Sequence, residues 1–126
     1  MYVLEPDEAV RDSLHILLDC FDIEVRSFSD ADSFMQKAVS KDGACALIEN
    51  QLPGLDGLTL FSRLRASGSA IPVILLTSSR DRNFADKALK QGVASVICKP
   101  LLDKQLLAQL ASLLRPTPPG LENFRS

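Results

Sequence analysis

Three short stretches without a charged residue, 44–48, 71–76 and 93–98, do most to limit what this chain can fold into. Each is too short for an ordinary helix, and none has a polar face. They therefore suit strands buried on both sides. Each run also stops at a polar group: Glu49, Thr77 and Lys99. Between the runs the apolar spacing changes to that of a helix. Leu58, Phe61 and Leu64 mark one helix, and Phe84, Ala85, Ala88 and Leu89 give a second, thin apolar face. Leu102, Leu106, Leu110, Leu113 and Leu114 form a third.

The N-terminal part repeats the alternation. Tyr2, Val3 and Leu4 form a short apolar run broken by Glu5, Pro6, Asp7 and Glu8, where Pro and acids suit the first turn of a helix. Val10, Leu14, Leu17, Leu18 and Phe21 then share one helical face. Residues 23–28 alternate apolar and polar, as a half-buried strand toward a sheet edge would. Ser29 and Asp30 can cap a helix whose inner face is Ala31, Phe34, Met35 and Ala38. The segment 51–57, with Pro53, Gly54 and Gly57, reads as a turn, Asp56 as a turn residue or N-cap, and Gly92 as the residue just past a helix.

The order is βαβαβαβαβα. Strict alternation with short turns predicts an α/β fold: a five-stranded parallel sheet, doubly wound and flavodoxin-like, (βα)5, with strand order 2-1-3-4-5. Residues 1–115 form this domain. Pro116, Pro118 and Pro119 remove donors and fix φ, so 116–126 reads as a proline-rich tail, a linker stub or a free end.

A chain of 126 residues with 46% hydrophobic and 24% charged residues can bury one core. A net charge of −2 does not support a direct nucleic-acid surface. No apolar run approaches the roughly 18 residues of a membrane span, and no signal-peptide pattern is visible. Cys20, Cys45 and Cys98 lack metal-type spacing and read as small apolar residues of a reducing cytoplasm. His15 is the single histidine, which excludes a His-centred triad or multi-His metal site and reads as a helix-surface residue.

In a sheet of this kind all strand ends meet at one edge. Glu5 and Asp7, Glu49, Thr77 and Lys99 gather there by topology. Acids, a hydroxyl and an amine suit an oxyanion or phosphoryl site, or simply polar ends of buried strands.

Residues 2–114 resemble the receiver domain of bacterial two-component response regulators, in the subgroup often joined to a helix-turn-helix output domain. The matching stretches are D-E-A-V-R-D-S-L (7–14), L-P-G-L-D-G-L (52–58), I-P-V-I-L-L-T (71–77), A-L-K-Q-G-V (88–93) and K-P-L (99–101). The resemblance implies a phosphorelay role without an enzymatic activity of its own. It also implies an Asp phosphoacceptor after strand three, Mg²⁺ held with an acidic pair after strand one, and a Thr and a Lys that contact the phosphoryl group. Thr77 and Lys99 match the last two positions, and Lys99–Pro100 is a cis-peptide candidate.

The departures cluster at the phosphoacceptor. Glu49 stands at its position, the acidic pair falls on Glu5 and Pro6, and the aromatic switch position is Val96. Mg²⁺ requires near-octahedral oxygen ligation, so its binding is expected to be weak at most, with no dedicated metal ligands or other cofactor. One extra methylene displaces the carboxylate by about 1 Å, enough to cost roughly 100-fold in an in-line transfer. Glu49 then reads as a fixed charge or phosphomimic paired with Lys99, as an inert pairing, or as a residual phosphoacceptor. The expected function is an atypical, phosphorylation-independent receiver. The alternatives are an active receiver controlling a DNA-binding output domain and a flavodoxin-like small-ligand binder. The resemblance implies protein partners, a histidine kinase or an output domain. It also implies a homodimer surface on helix four, strand five and helix five carrying Lys87, Lys90, Gln91, Asp103, Lys104 and Gln105.

Overall fold

The apolar runs become the centre of a parallel sheet. The structure, a computed structural model, describes residues 1–38, 45–99, 103–114 and 120–121. In chain order the elements are β1 (Tyr2–Leu4), α1 (Glu8–Asp19), β2 (Arg26–Phe28), α2 (Ala31–Ala38), β3 (Ala46–Glu49), β4 (Gln51–Leu52), β5 (Leu55–Asp56), α3 (Gly57–Ala66), β6 (Val73–Thr77), α4 (Arg82–Gln91), β7 (Ser95–Cys98) and α5 (Asp103–Leu113). The five-stranded sheet has the order β2-β1-β3-β6-β7, with every pair parallel. Leaving aside the small β4–β5 hairpin, this is the expected 2-1-3-4-5.

Alternate side chains enter two apolar layers, as the two-residue period of a strand requires. Tyr2, Leu4, Ile48 and Leu75 pack with Phe34 of α2, Leu58 and Phe61 of α3 and Ala88 of α4. Val3, Leu47, Ile74, Leu76 and Ile97 pack with Leu14 and Leu18 of α1 and Leu106 and Leu110 of α5. Helices thus cover both faces, and β1, β3 and β6 are buried along their whole lengths.

The helix ends follow the acids. Asp7, Asp30, Asp56 and Asp81 accept N–H groups from Ala9 (2.9 Å), Ser33 (2.8 Å), Thr59 (2.7 Å) and Asn83 (2.9 Å) respectively. Each cap contributes about 1 kcal/mol. Gly92 closes α4 at φ 109°, a left-handed conformation that glycine adopts without strain. His15 lies on the exposed side of α1.

Four local expectations need correction. The half-buried strand expected over 23–28 is β2 at 26–28, because Asp22 turns left-handed (φ 58°) and the Ile23 N–H returns to the Leu18 carbonyl at 3.1 Å. The run 93–98 is less buried than expected: on β7, at the edge that the order 2-1-3-4-5 gives the fifth strand, Ile97 is fully buried while Ser95, Val96 and Cys98 are half-buried. Its apolar composition reflects helices on its two faces and not neighbours on its two sides. Leu89, assigned to the inner face of α4, is exposed. The turn expected over 51–57 contains the antiparallel β4–β5 pair, reversed at Pro53-Gly54 with Gly54 at φ 81°, the Pro-Gly signature of a type II turn.

The start of α3 presses against the end of β3. The Gly57 N–H donates to the Asn50 carbonyl at 2.7 Å, and the Leu58 N–H to Asn50 Oδ1 at 3.2 Å. A Cβ on Gly57 would stand 2.9 Å from Asn50 Cα and 3.0 Å from the Glu49 carbonyl oxygen. Glycine is needed here for close approach. At Gly54 it is needed for φ, since a Cβ there meets nothing within 4 Å. Gly57→Ala is therefore expected to destabilise by roughly 1–3 kcal/mol through overpacking against backbone. Gly54→Ala should cost about 1–2 kcal/mol through backbone strain. Urea midpoints of the two variants measure both effects. In amide spectra, only Gly57→Ala should also move the Glu49–Gln51 resonances.

Candidate functional site

Glu5 follows β1, Glu49 ends β3, Thr77 ends β6 and Lys99 follows β7, so the sheet delivers all four to its carboxyl edge. Backbone hydrogen bonds hold the strand ends in place. The Lys99 N–H donates to the Thr77 carbonyl at 2.7 Å, the Asn50 N–H to the Leu76 carbonyl at 2.8 Å, and the Glu5 N–H to the Phe28 carbonyl at 3.1 Å. The Arg11 guanidinium of α1 reaches back to the Glu5 carbonyl at 2.9 Å and the Pro6 carbonyl at 3.3 Å, clamping the loop that presents Glu5.

Lys99 Nζ sits between two acids, 2.8 Å from Glu5 Oε1 and 3.0 Å from Glu49 Oε2. Both glutamates are buried, while the lysine side chain keeps 26% of its surface in water. The hydrogen-bond geometry of the ammonium favours Glu5. Toward Glu49 Oε2 the contact is an ion pair without good hydrogen-bond geometry, and Oε2 has no other hydrogen-bond partner among the described residues. The remaining oxygens take backbone N–H groups at longer range: Asp7 N to Glu5 Oε2 at 3.3 Å and Gln51 N to Glu49 Oε1 at 3.4 Å. Burial by itself lowers the pKa of Lys99. Its close contacts with Glu5 and Glu49 and the charges of the two acids together outweigh that effect and hold it above the ordinary lysine value.

The other residues singled out in the sequence take varied places. Thr77 is buried, with its Oγ1 accepting the Ser79 N–H at 3.0 Å. Asp7 does not join the acids of the pocket: it is exposed, and its carboxylate is occupied by capping Ala9 and Val10. Asp56 is exposed and caps α3, where the Thr59 hydrogen bonds hold its carboxyl below the usual range. Val96 is half-buried against the α2–α4 layer. Pro100, and with it the cis-peptide expectation, lies outside the described residues. Sequence reasoning paired Lys99 with Glu49 and missed that Glu5 is the nearer partner. It also missed Arg11, whose separation from the carbonyls it binds matches no helical or strand period.

The donor set does not fit Mg²⁺, which needs near-octahedral oxygen ligation. The two carboxylates already share an ammonium, Pro6 has no side-chain oxygen, and Asp7 is committed to a helix end. Among the described residues no three His, Cys, Asp or Glu side chains converge as a metal site. No helix among them is long and apolar enough to cross a membrane.

Comparison with known proteins places this geometry in context. The family model "Response regulator receiver domain" matches residues 1–111. The transcriptional regulatory protein FixJ of Bradyrhizobium diazoefficiens is 33% identical over 123 residues, 98% of this chain and 60% of that protein. The response regulator protein TmoT of Ectopseudomonas mendocina is 28% identical, over 98% of this chain and 56% of its own length. The chain thus spans little more than half of these curated relatives. A crystal structure of a response regulator receiver protein from Pseudoalteromonas atlantica superposes with a TM-score of 0.82 at 28% identity, covering 91% of this chain and 96% of that one.

Replacing Lys99 would leave two buried acids facing each other. Lys99→Met is expected to lower stability at pH 7 by about 3 kcal/mol. Because the lysine pKa is raised on folding, its contribution is complete below the ordinary value of 10.5 and fades as the pH climbs above it. Urea titrations from neutral to strongly alkaline pH should therefore show wild type and Lys99→Met converging only above that value.

Proposed function

The chain belongs to the response regulator receiver domain family, and from that premise we propose that it is an atypical, phosphorylation-independent receiver in which a permanent ion-pair network replaces the switchable phosphoryl site. One observation carries the proposal: a single ammonium already lies between the carboxylate at the phosphoacceptor position and the carboxylate after β1, at 3.0 and 2.8 Å.

A receiver that takes up phosphoryl needs a nucleophilic carboxylate open to in-line attack and a cation to offset the incoming charge. Here the Glu49 carboxylate is buried against Lys99, and the position where a second acid would help to hold a metal is Pro6. The extra methylene of Glu49 carries its negative charge further into the pocket than an Asp would. The Thr77 hydroxyl already accepts the Ser79 N–H, and Val96 offers no aromatic ring to rotate over a vacated space. These features support one fixed state, with Glu49 standing in for the charge of a phosphorylated acceptor. Family membership leaves the small-ligand reading without support.

In this role the domain acts through protein contacts, with a histidine kinase or an output domain of a two-component pathway as the class of partner. The relatives named as transcriptional regulators suggest a regulatory output, and the segment that would carry it lies outside the aligned receiver. The surface of α4, β7 and α5 suits a homodimer or output contact. Lys87, Lys90, Gln91 and Gln105 are exposed there.

Incubation with acetyl phosphate and several millimolar Mg²⁺ is expected to leave the intact mass unchanged. Beryllofluoride with Mg²⁺ should leave the amide spectrum unchanged as well. A stoichiometric phosphoryl adduct on Glu49 would overturn the proposal. The double variant Pro6→Asp with Glu49→Asp should gain Mg²⁺ binding, seen as shifts of the amides around residues 5, 6 and 49. A double variant that still ignores Mg²⁺ would show that more of the pocket than these two positions has diverged.

A further inference from the structure

Past α5 the sequence carries Pro116, Pro118 and Pro119, which cannot continue a helix. Such a stretch leads one to expect a solvated tail. Leu121 does not follow that expectation: it is fully buried, in the same apolar layer as Leu14, Leu18, Ile23, Leu110 and Leu114. Gly120 before it is left-handed at φ 92°, a conformation that favours glycine. A Cβ on Gly120 would stand 3.4 Å from Cδ1 and 3.9 Å from Cε1 of Phe21, so this turn lies against one side of the Phe21 ring.

The receiving surface is equally well defined. Phe21 and Ile23 form the corner between α1 and β2, shaped by the left-handed Asp22 and closed by the Ile23 N–H bond to Leu18. Leu114, just past α5, supplies the other side of the same layer. A leucine with no exposed surface, introduced by a glycine in the backbone conformation that glycine favours, is a specific docked contact and not a chance contact of a free end.

We propose that Gly120-Leu121 is an intramolecular latch. It fastens this point of the chain after α5 to the α1–β2 corner. While fastened, the latch covers an apolar socket of Phe21, Ile23 and Leu114. Releasing it uncovers that socket.

The test uses the full 126-residue chain. In wild type the Gly120 α-proton resonances should be displaced from random-coil values by the Phe21 ring, and the Leu121 methyls should show contacts to α1 and α5 residues. Phe21→Leu, which keeps an apolar side chain, should return Gly120 toward its unperturbed shifts. Leu121→Ser should speed amide exchange at Phe21 and Ile23 by roughly tenfold or more while β3 and β6 exchange as before. Random-coil shifts and fast mobility of Gly120 and Leu121 in wild type would overturn the latch, and would do so even if Leu121→Ser failed to fold. Leu121 contacts that appear only between differently labelled copies in a mixed sample would also overturn it, in favour of a tail exchanged between two chains.

Discussion

An ammonium shared by two buried carboxylates is the contact on which the functional edge of this domain depends. Glu5 and Glu49 are removed from water on the side of the sheet where no hydrophobic packing can compensate a bare charge. Taking an acid into such a place costs several kcal/mol unless it is paired, and two acids together repel as well. Lys99 offsets both penalties with one group. Part of its own surface stays hydrated, which limits its desolvation, so that attraction outweighs burial and its pKa rises.

Side-chain length is part of this arrangement. In the sheet order, β7 is separated from β3 by β6 and from β1 by two strands. At about 4.8 Å per strand, the β7 and β1 axes lie roughly 14 Å apart. A long lysine meeting long glutamates closes that span. An aspartate at either acid would withdraw the carboxylate by about 1 Å, the reach of one methylene. The added length of Glu49 is thus what lets the lysine hold both acids at once. Glu5, from the more distant strand, is nonetheless the nearer partner, presented by a loop of which Arg11 holds two carbonyls.

Much of this could be read from the residues. Uncharged runs with no polar face specified buried strands, and acids at Asp30 and Asp56 marked helix starts. The five-fold alternation then specified the topology. What escaped depended on geometry with no linear trace. The 93–98 run resembles an interior strand because hydrophobicity records what covers a strand's faces and is blind to how many neighbours it pairs with. Asp7 looks like a pocket acid until α1 needs an acceptor for its first N–H groups. Leu121, behind three prolines, has no periodic partner in the sequence to advertise its burial. The β4–β5 hairpin is short enough that Pro53-Gly54 reads simply as a turn.

The pairing of Glu5 with Lys99 joins residues 94 positions apart. Its neighbours in the sheet assemble earlier in the sequence, since β1, β2 and β3 all lie within the first 49 residues. A partly folded form that closes those strands without β7 brings two acids to one edge without Lys99 between them. Such a form is penalised, and the penalty disappears only when the last strand docks. The ion-pair network therefore acts on the folding reaction as well as on the folded state. It disfavours a half-assembled sheet and ties the first and last strands into a single cooperative step, at the cost of the slow search that so distant a contact imposes.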